Sequence, residues 1–473
     1  MRVLFLILFI ILTLPISQAR RIMIIHTNDL HSHFNNYPKA MTKIKELRAD
    51  AESKGIEVLQ VDAGDWGEGT PFYFSDQGAD SVRALELFGV EVAAIGNHDH
   101  MLGGKVLSDK IKRANVDTKF VGANINTTPE MELDGLVHPY VDIEKAGIKI
   151  RVVGLTTSSN FFEYSMRPGS ISPPLAVGER EARKGKRAGR ELIIALTHLG
   201  VGEDRFLAKN SSSIDVIIGG HSHTKLRYVI KEENQYGKEV PIVQAASHGL
   251  SVGSLLLDVS RRGNVRIIRY KLHDINRNLR EDPEMASFVE EATLKRNALF
   301  DTDWDAIIGE TKTPITGSGW KLSCWGRHIA RATREAVGAD IGLHVPAFAG
   351  TDKRAGPVSF GDIVSNFPHI RKFGDQGWEI AIVKMSGWKI RPLMFLISRI
   401  GYGVNFSGLG YKSIDELNPQ AVYSVAFPAE VAEAIKGSLP QFKHYLQGLE
   451  YTKAFFWPVI IQYVRDHSPI QCG

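Results

Sequence analysis

Cysteine is nearly absent from this chain: its 473 residues include two, Cys324 and Cys472. Two thiols cannot build a thiolate metal cluster. If the protein is exported, the two can pair; two free thiols are the other reading. A strong charge of one sign is also missing. The formal net charge is +4, with 43% hydrophobic and 23% charged residues, which points neither to nucleic acid nor to a membrane surface as partner. After residue 19 there is no second long apolar segment, no internal repeat and no low-complexity tract. A permanent membrane anchor is therefore not expected.

What is present begins at the amino terminus. Arg2 precedes the apolar run Val3 to Leu14, then Pro15 and the small-residue pattern Ser17-Gln18-Ala19. A charged start, a short apolar middle and an A-x-A-like end describe a cleaved signal peptide over residues 1–19; a retained anchor is the alternative. The mature protein is expected to be periplasmic or secreted. The chain is too long for one hydrophobic core. From Ile22 to about Leu272, apolar strands alternate with helical stretches such as Pro38 to Lys54 and Lys105 to Ala114, which reads as α/β. An exposed helix, Asp282 to Asn297, bridges to a second unit richer in Trp and Gly. The expected domains are 20–275, a linker helix within 276–300, and 301–473.

Five apolar strands of the first unit end by presenting Asp, Asn or His. Arg21 to Thr27 ends in Asn28-Asp29-Leu30-His31, and Glu57 to Val61 in Asp62-Ala63-Gly64-Asp65. Val90 to Ile95 ends in Gly96-Asn97-His98-Asp99-His100, Leu192 to Leu196 in Thr197-His198, and Val216 to Ile218 in Gly219-Gly220-His221-Ser222-His223. One such ending is a polar turn; five are what a metal centre at the carboxyl edge of an α/β sheet requires. Two cations held close together need a shared anionic bridge, and Asp65 can give one oxygen to each. Asp29 and His31, two apart on an extended segment, can complete one site with a later residue. Asn97, His198 and one histidine of the Gly-His-Ser-His stretch can complete the other. The mixed nitrogen and oxygen set suits two divalent ions of Zn, Mn or Fe better than Ca or Mg.

Taken as a set, these segments resemble the five blocks of the calcineurin-like metallophosphoesterases, and their spacing and second domain resemble the exported 5'-nucleotidase and UDP-sugar hydrolase family. The resemblance implies a β-sandwich flanked by helices, followed by an α+β substrate-binding domain. It implies that Asp29, His31, Asp65 and His223 hold one metal, and that Asp65, Asn97, His198 and His221 hold the other. It makes His98 the catalytic histidine beside the phosphoryl group. Two metals would lower the pKa of a bound water and neutralise charge on a phosphoryl oxygen, so that hydroxide attacks phosphorus in line.

Two departures stand out. Where the family reads Gly-Asn-His-Glu-Phe-Asp, this chain has Met101 in place of the last aspartate, leaving the catalytic histidine without its orienting carboxylate unless His100 takes part of that role. In the second unit, Val345-Pro346-Ala347-Phe348-Ala349-Gly350 replaces a stretch ending in a phosphate-facing Arg, although Lys353 and Arg354 follow. Phe406 and Phe427 are the aromatics that could stack on a ring, or belong to the core. The leading reading is an exported hydrolase of a small phosphoester, with nucleotides in the class of substrates. A thiosulfohydrolase-like sulfur-ester hydrolase, or a protein that keeps its metals with little turnover, are the alternatives.

Overall fold

A computed structural model describes residues 20–158, 163–315, 322–345, 352–399, 404–410, 413–438 and 440–471. The 1–19 segment, Pro346 to Gly350 and Cys472 lie outside the described residues. Cys324 is disulfide-bonded. Among the described residues no helix is long and apolar enough to cross a membrane.

Parallel strands buried on both faces read as unbroken apolar runs, because alternate side chains serve two different layers. Arg21–Thr27 shows this directly. Ile22 and Ile24 face a sandwich interior, while Met23 and Ile25 join the layer of Tyr37, Met41 and Ile44 on the helix Tyr37–Glu52. The strand lies in a seven-stranded sheet, in the spatial order Val265–Asp274, Ser251–Val259, Arg21–Thr27, Glu57–Asp62, Val92–Ala94, Lys119–Val121, Val137–His138. A six-stranded sheet runs Ile230–Glu233, Glu239–Val243, Val216–Gly219, Leu192–His198, Ile148–Thr156, Tyr140–Lys145. In Leu192–His198 the same division holds: Ile194 and Leu196 meet the first sheet, and Ile193 and Ala195 meet helices Pro174–Arg187 and Val201–Asn210. The result is the expected α/β sandwich with helices on both outer faces.

Arg21–Thr27, Glu57–Asp62 and Val92–Ala94 are mutually parallel, as are Leu192–His198 and Val216–Gly219. Parallel pairing brings the carboxyl ends of each set to one edge, and the site assembles where the two edges meet.

Ile307 onward builds a second unit. Its five-stranded sheet runs Asn405–Gly408, Ile341–His344, Val422–Pro428, Glu379–Ser386, Glu450–Phe455, beside a ribbon of Ile307–Thr311 and Gly356–Ser359. The helix expected as an exposed bridge, observed over Pro283–Asn297, instead packs on the first unit. Met285 and Ala292 are buried there, Asp282 caps it by accepting from the Met285 N–H at 3.1 Å, and Phe288 meets Phe34. The first unit in turn sends Tyr73 and Phe74 into the core of the second, where Phe74 lies 5.4 Å from Trp457 and Tyr73 5.4 Å from Phe373. Phe427 is buried in a separate cluster of the second unit, with Phe406 packed against it, so both aromatics serve packing. Lys353 is tied to Asp362 at 2.7 Å.

Candidate metal centre

The strand-end residues converge as their order in the sheets dictates. Asp29, His31 and His223 bring one ligand atom each within 4.8 Å of one another, as do Asp65, His198 and His221, and also His31, Asp65 and His98. Asp65 belongs to two of these groups and Asp29 lies between the sheets. The Asp65 Oδ2 is 2.9 Å from His198 Nε2 and 3.6 Å from His31 Nε2. The Asp29 Oδ1 is 3.4 Å from His223 Nε2, and the His221 N–H donates to Asp29 at 3.0 Å.

The backbone presents these groups under strain. Asp29, His31, Asp65, His221 and His223 all have positive φ, between 48° and 76°. Non-glycine residues hold that left-handed conformation only when their surroundings enforce it, and such residues cluster at functional sites. One glycine makes the close approach possible. A β-carbon built on Gly96 would lie 2.1 Å from Asp65 Oδ1 and 2.4 Å from the Asp65 N, so only glycine lets these two loops touch. Asp99, 1% exposed, fastens them: its carboxylate accepts from the N–H groups of Gly96 at 2.7 Å, Asp65 at 2.9 Å and Gly67 at 2.9 Å. Lys110, also buried, donates to the Asp99 carbonyl at 2.6 Å and stands 4.8 Å over the Trp66 ring.

Second contacts fix which nitrogen each histidine offers. The Nδ1–H of His31 donates to the Glu68 carbonyl at 2.7 Å, and that of His198 to the Ala63 carbonyl at 2.8 Å. A carbonyl can only accept, so each ring presents Nε2 to the cluster, the arrangement in which metal-ligating histidines are usually held. Burial, reinforced by His98, pushes the His31 imidazole down to about 3, which keeps it neutral and fit to ligate. Burial alone would raise the Asp65 carboxyl, but His198 and His98 outweigh it and hold it well below the usual range. Burial likewise opposes the charge on His198, and Asp65 overrides it and raises that ring to about 10.

Two features show that this donor set suits cations. The Nε2 atoms of His31 and His223 face each other at 3.1 Å, so lone pairs converge where a positive charge would satisfy both. The Oδ1 of Asn97, a residue 2% exposed, is buried without a hydrogen-bond partner, a costly state for an amide oxygen that a cation would relieve. Asp29, His31, Asp65, Asn97 and His198 are buried, whereas the His223 side chain is 41% exposed and opens the cluster to solvent.

His98 stands with its ring 4.7 Å from that of His31, and its N–H donates to Asp65 Oδ1 at 2.8 Å. The expectation that Met101 leaves this histidine without a carboxylate partner does not hold. Glu68, three residues after Asp65, accepts from His98 Nδ1 at 2.5 Å. Burial pushes His98 down, but Asp65 and Glu68 together hold it up at about 9. His100, which could have taken over the partner role, is fully buried and pairs its Nδ1 with the Ser165 hydroxyl at 2.8 Å. Sequence reading missed Glu68 and also His369, whose Nδ1 meets the other Glu68 oxygen from the second unit. A signal for Glu68 existed: with Met101 three positions after His98, the carboxylate partner has to come from another loop, and Gly64-Asp65-Trp66-Gly67-Glu68 is a neighbouring strand-end loop with an acidic residue to spare.

A β-sandwich whose parallel strand ends gather carboxylates and imidazoles in this pattern defines a metallophosphoesterase-type centre. Residues 22–225 match the calcineurin-like phosphoesterases, so the first unit carries a domain of that kind. It is similar to the trifunctional nucleotide phosphoesterase protein YfkN of Bacillus subtilis, 28% identical over 389 residues, which cover 73% of this chain and 26% of that protein. It is also similar to the 5'-nucleotidase of Rattus norvegicus, 26% identical over 339 residues, covering 64% of this chain and 57% of the other. It thus spans from a quarter to just over half the length of these relatives. A solved 5'-nucleotidase precursor from Thermus thermophilus superposes with a TM-score of 0.82 over 96% of this chain and 98% of that one, at 22% identity. That likeness is one of fold, and it extends over both units.

Proposed function

We propose that the chain is an exported two-metal phosphoester hydrolase of the 5'-nucleotidase type. The observation that carries this reading is the Asp65 carboxylate, shared between ligand groups drawn from two sheets. Asp29, His31, Asp65 and His223 would hold one divalent ion, and Asp65, Asn97, His198 and His221 the other. Such a pair would acidify a water and neutralise the charge growing on a phosphoryl oxygen. The chain's own contribution is geometric and protonic. The Asp99 carboxylate and the close approach at Gly96 keep Asp65 between the two groups. Ala63 and Glu68 carbonyls aim the imidazoles of His198 and His31. His98 would give a proton to the leaving oxygen as the ester bond breaks.

The substrate is a small phosphoester, with nucleotides supported by the names of the relatives. The second unit has no Arg between Val345 and Gly350 and its aromatics Phe406 and Phe427 serve the core, so a nucleoside has little to grip. Remote binding energy of that kind is what lowers a barrier for one substrate over another. The expected kcat/KM for adenosine monophosphate exceeds that for nitrophenyl phosphate by less than about a hundredfold, ~2.7 kcal/mol. A panel of phosphomonoesters, phosphodiesters, nucleotide sugars and sulfate-releasing substrates, run with and without a chelator, tests the reading. Chelator-sensitive phosphate release supports it, and release of sulfate alone or no turnover overturns it. Export is supported by the charge and hydropathy pattern of residues 1–19. Amino-terminal sequencing of exported protein is expected to begin near Arg20, and an intact Met1 on membrane-bound material would contradict it.

A further inference from the structure

Glu68 is a buried acidic side chain, 2% exposed, with an imidazole on each carboxylate oxygen. His98 belongs to the centre. His369 comes from 301 residues further along, in the second unit, where its ring stacks on Trp378 at 5.1 Å. Both contacts use Nδ1. A carboxylate can only accept, so each ring donates its Nδ1–H, and Nε2 becomes the nitrogen through which His98 can act on a substrate. The ring orientation of His98 is therefore set by Glu68, and that of the Glu68 side chain by a residue of the other unit. The chain lacks a carboxylate at position 101, where Met101 stands, and Glu68 supplies one through a different loop.

We infer that Glu68 is the positioning residue for His98, and that His369 anchors it from the second unit, so that proton donation to the leaving oxygen depends on contact between the units. This rests on the hydrolase reading above. In the step concerned, a water oxygen bonds to phosphorus, the ester P–O bond breaks with its electron pair staying on the leaving oxygen, that oxygen takes the proton from His98 Nε2, and one proton of the attacking water is released to solvent, from which His98 is reprotonated. A poor leaving group needs that proton most. An orienting carboxylate should therefore matter far more for an alkyl phosphate than for nitrophenyl phosphate.

The test uses the metal-loaded full chain. Glu68→Gln is expected to lower kcat for an alkyl phosphate by about a hundredfold and for nitrophenyl phosphate by less than about tenfold, with KM and metal content unchanged. His369→Phe is expected to lower alkyl phosphate turnover about tenfold, whereas His369→Asn, which keeps an N–H where Nδ1 lies, should stay within about threefold of the parent. Equal losses on both esters, or no rescue by Asn, would mean that Glu68 merely joins the two units and would overturn the inference. A second readout does not need turnover. In 15N-histidine spectra, two Nδ1 protons hydrogen-bonded to the Glu68 carboxylate are expected, beside those that His31 and His198 give to backbone carbonyls; both are perturbed in Glu68→Gln and one is absent in His369→Phe, and unchanged spectra overturn the inference. If the parent hydrolyses no ester while these spectra behave as expected, the hydrolase reading fails and the positioning chain stands.

Discussion

Asp65→Asn is expected to leave the purified protein with little bound metal and to cut kcat/KM by about a thousandfold, ~4 kcal/mol of transition-state stabilisation. The reason lies in what the carboxylate touches. It stands 2.9 Å from His198 Nε2 and 3.6 Å from His31 Nε2, so it serves the ligand groups of both sheets. An amide keeps the shape and loses the charge, and neither of the two proposed cations would then keep an anionic bridge. The loss should concern function more than folding, because the Asp65 N–H still donates to Asp99. Elemental analysis and turnover on one preparation check this: a fully metallated, active variant would remove the bridge from the account.

The second large effect is expected from Gly96→Ala. The added carbon would meet Asp65 Oδ1 at 2.1 Å and Asp65 backbone nitrogen at 2.4 Å. Backbone cannot give way as a flexible side chain can, so the loops must part. Parting them breaks the bond from the His98 N–H to Asp65 Oδ1 and loosens the hold of Asp99 on Gly96. A cost of about 3 kcal/mol, the upper end for overpacking, should appear in denaturant unfolding together with loss of metal. Gly202→Ala is the control, since nothing lies within 4 Å of a β-carbon there and the position is in the helix Val201–Asn210. The control should unfold as the parent does or slightly later. Equal stability of the two variants would show that the Gly96 contact is not the constraint described.

The strand-end residues were legible because each lies one to a few positions beyond an apolar run, and parallel pairing brings such ends to one edge without further information. Strand length was less so: the run from Val90 to Ile95 yields only Val92–Ala94 as strand. The grouping into two facing sheets was not visible in the runs themselves. Ile22 and Ile194 meet in the interior while Ile25 and Ile193 face helices, and nothing in an unbroken apolar run says which face is which. The helix Pro283–Asn297 was expected to be an exposed bridge, yet Met285 and Ala292 are buried. The Glu68 and His369 pair was least accessible, because a contact across 301 residues leaves no trace in spacing. Only the missing carboxylate at Met101 hinted at it.

Whether Asp65 bridges two metals is decided by diffraction from crystals grown with Mn or Zn, collected on either side of the metal absorption edge. Two anomalous peaks are predicted a few ångströms apart with the Asp65 carboxylate between them, one flanked by Asp29, His31 and His223 and the other by Asn97, His198 and His221. A single peak away from Asp65, or none at full metal loading, would contradict the bridge.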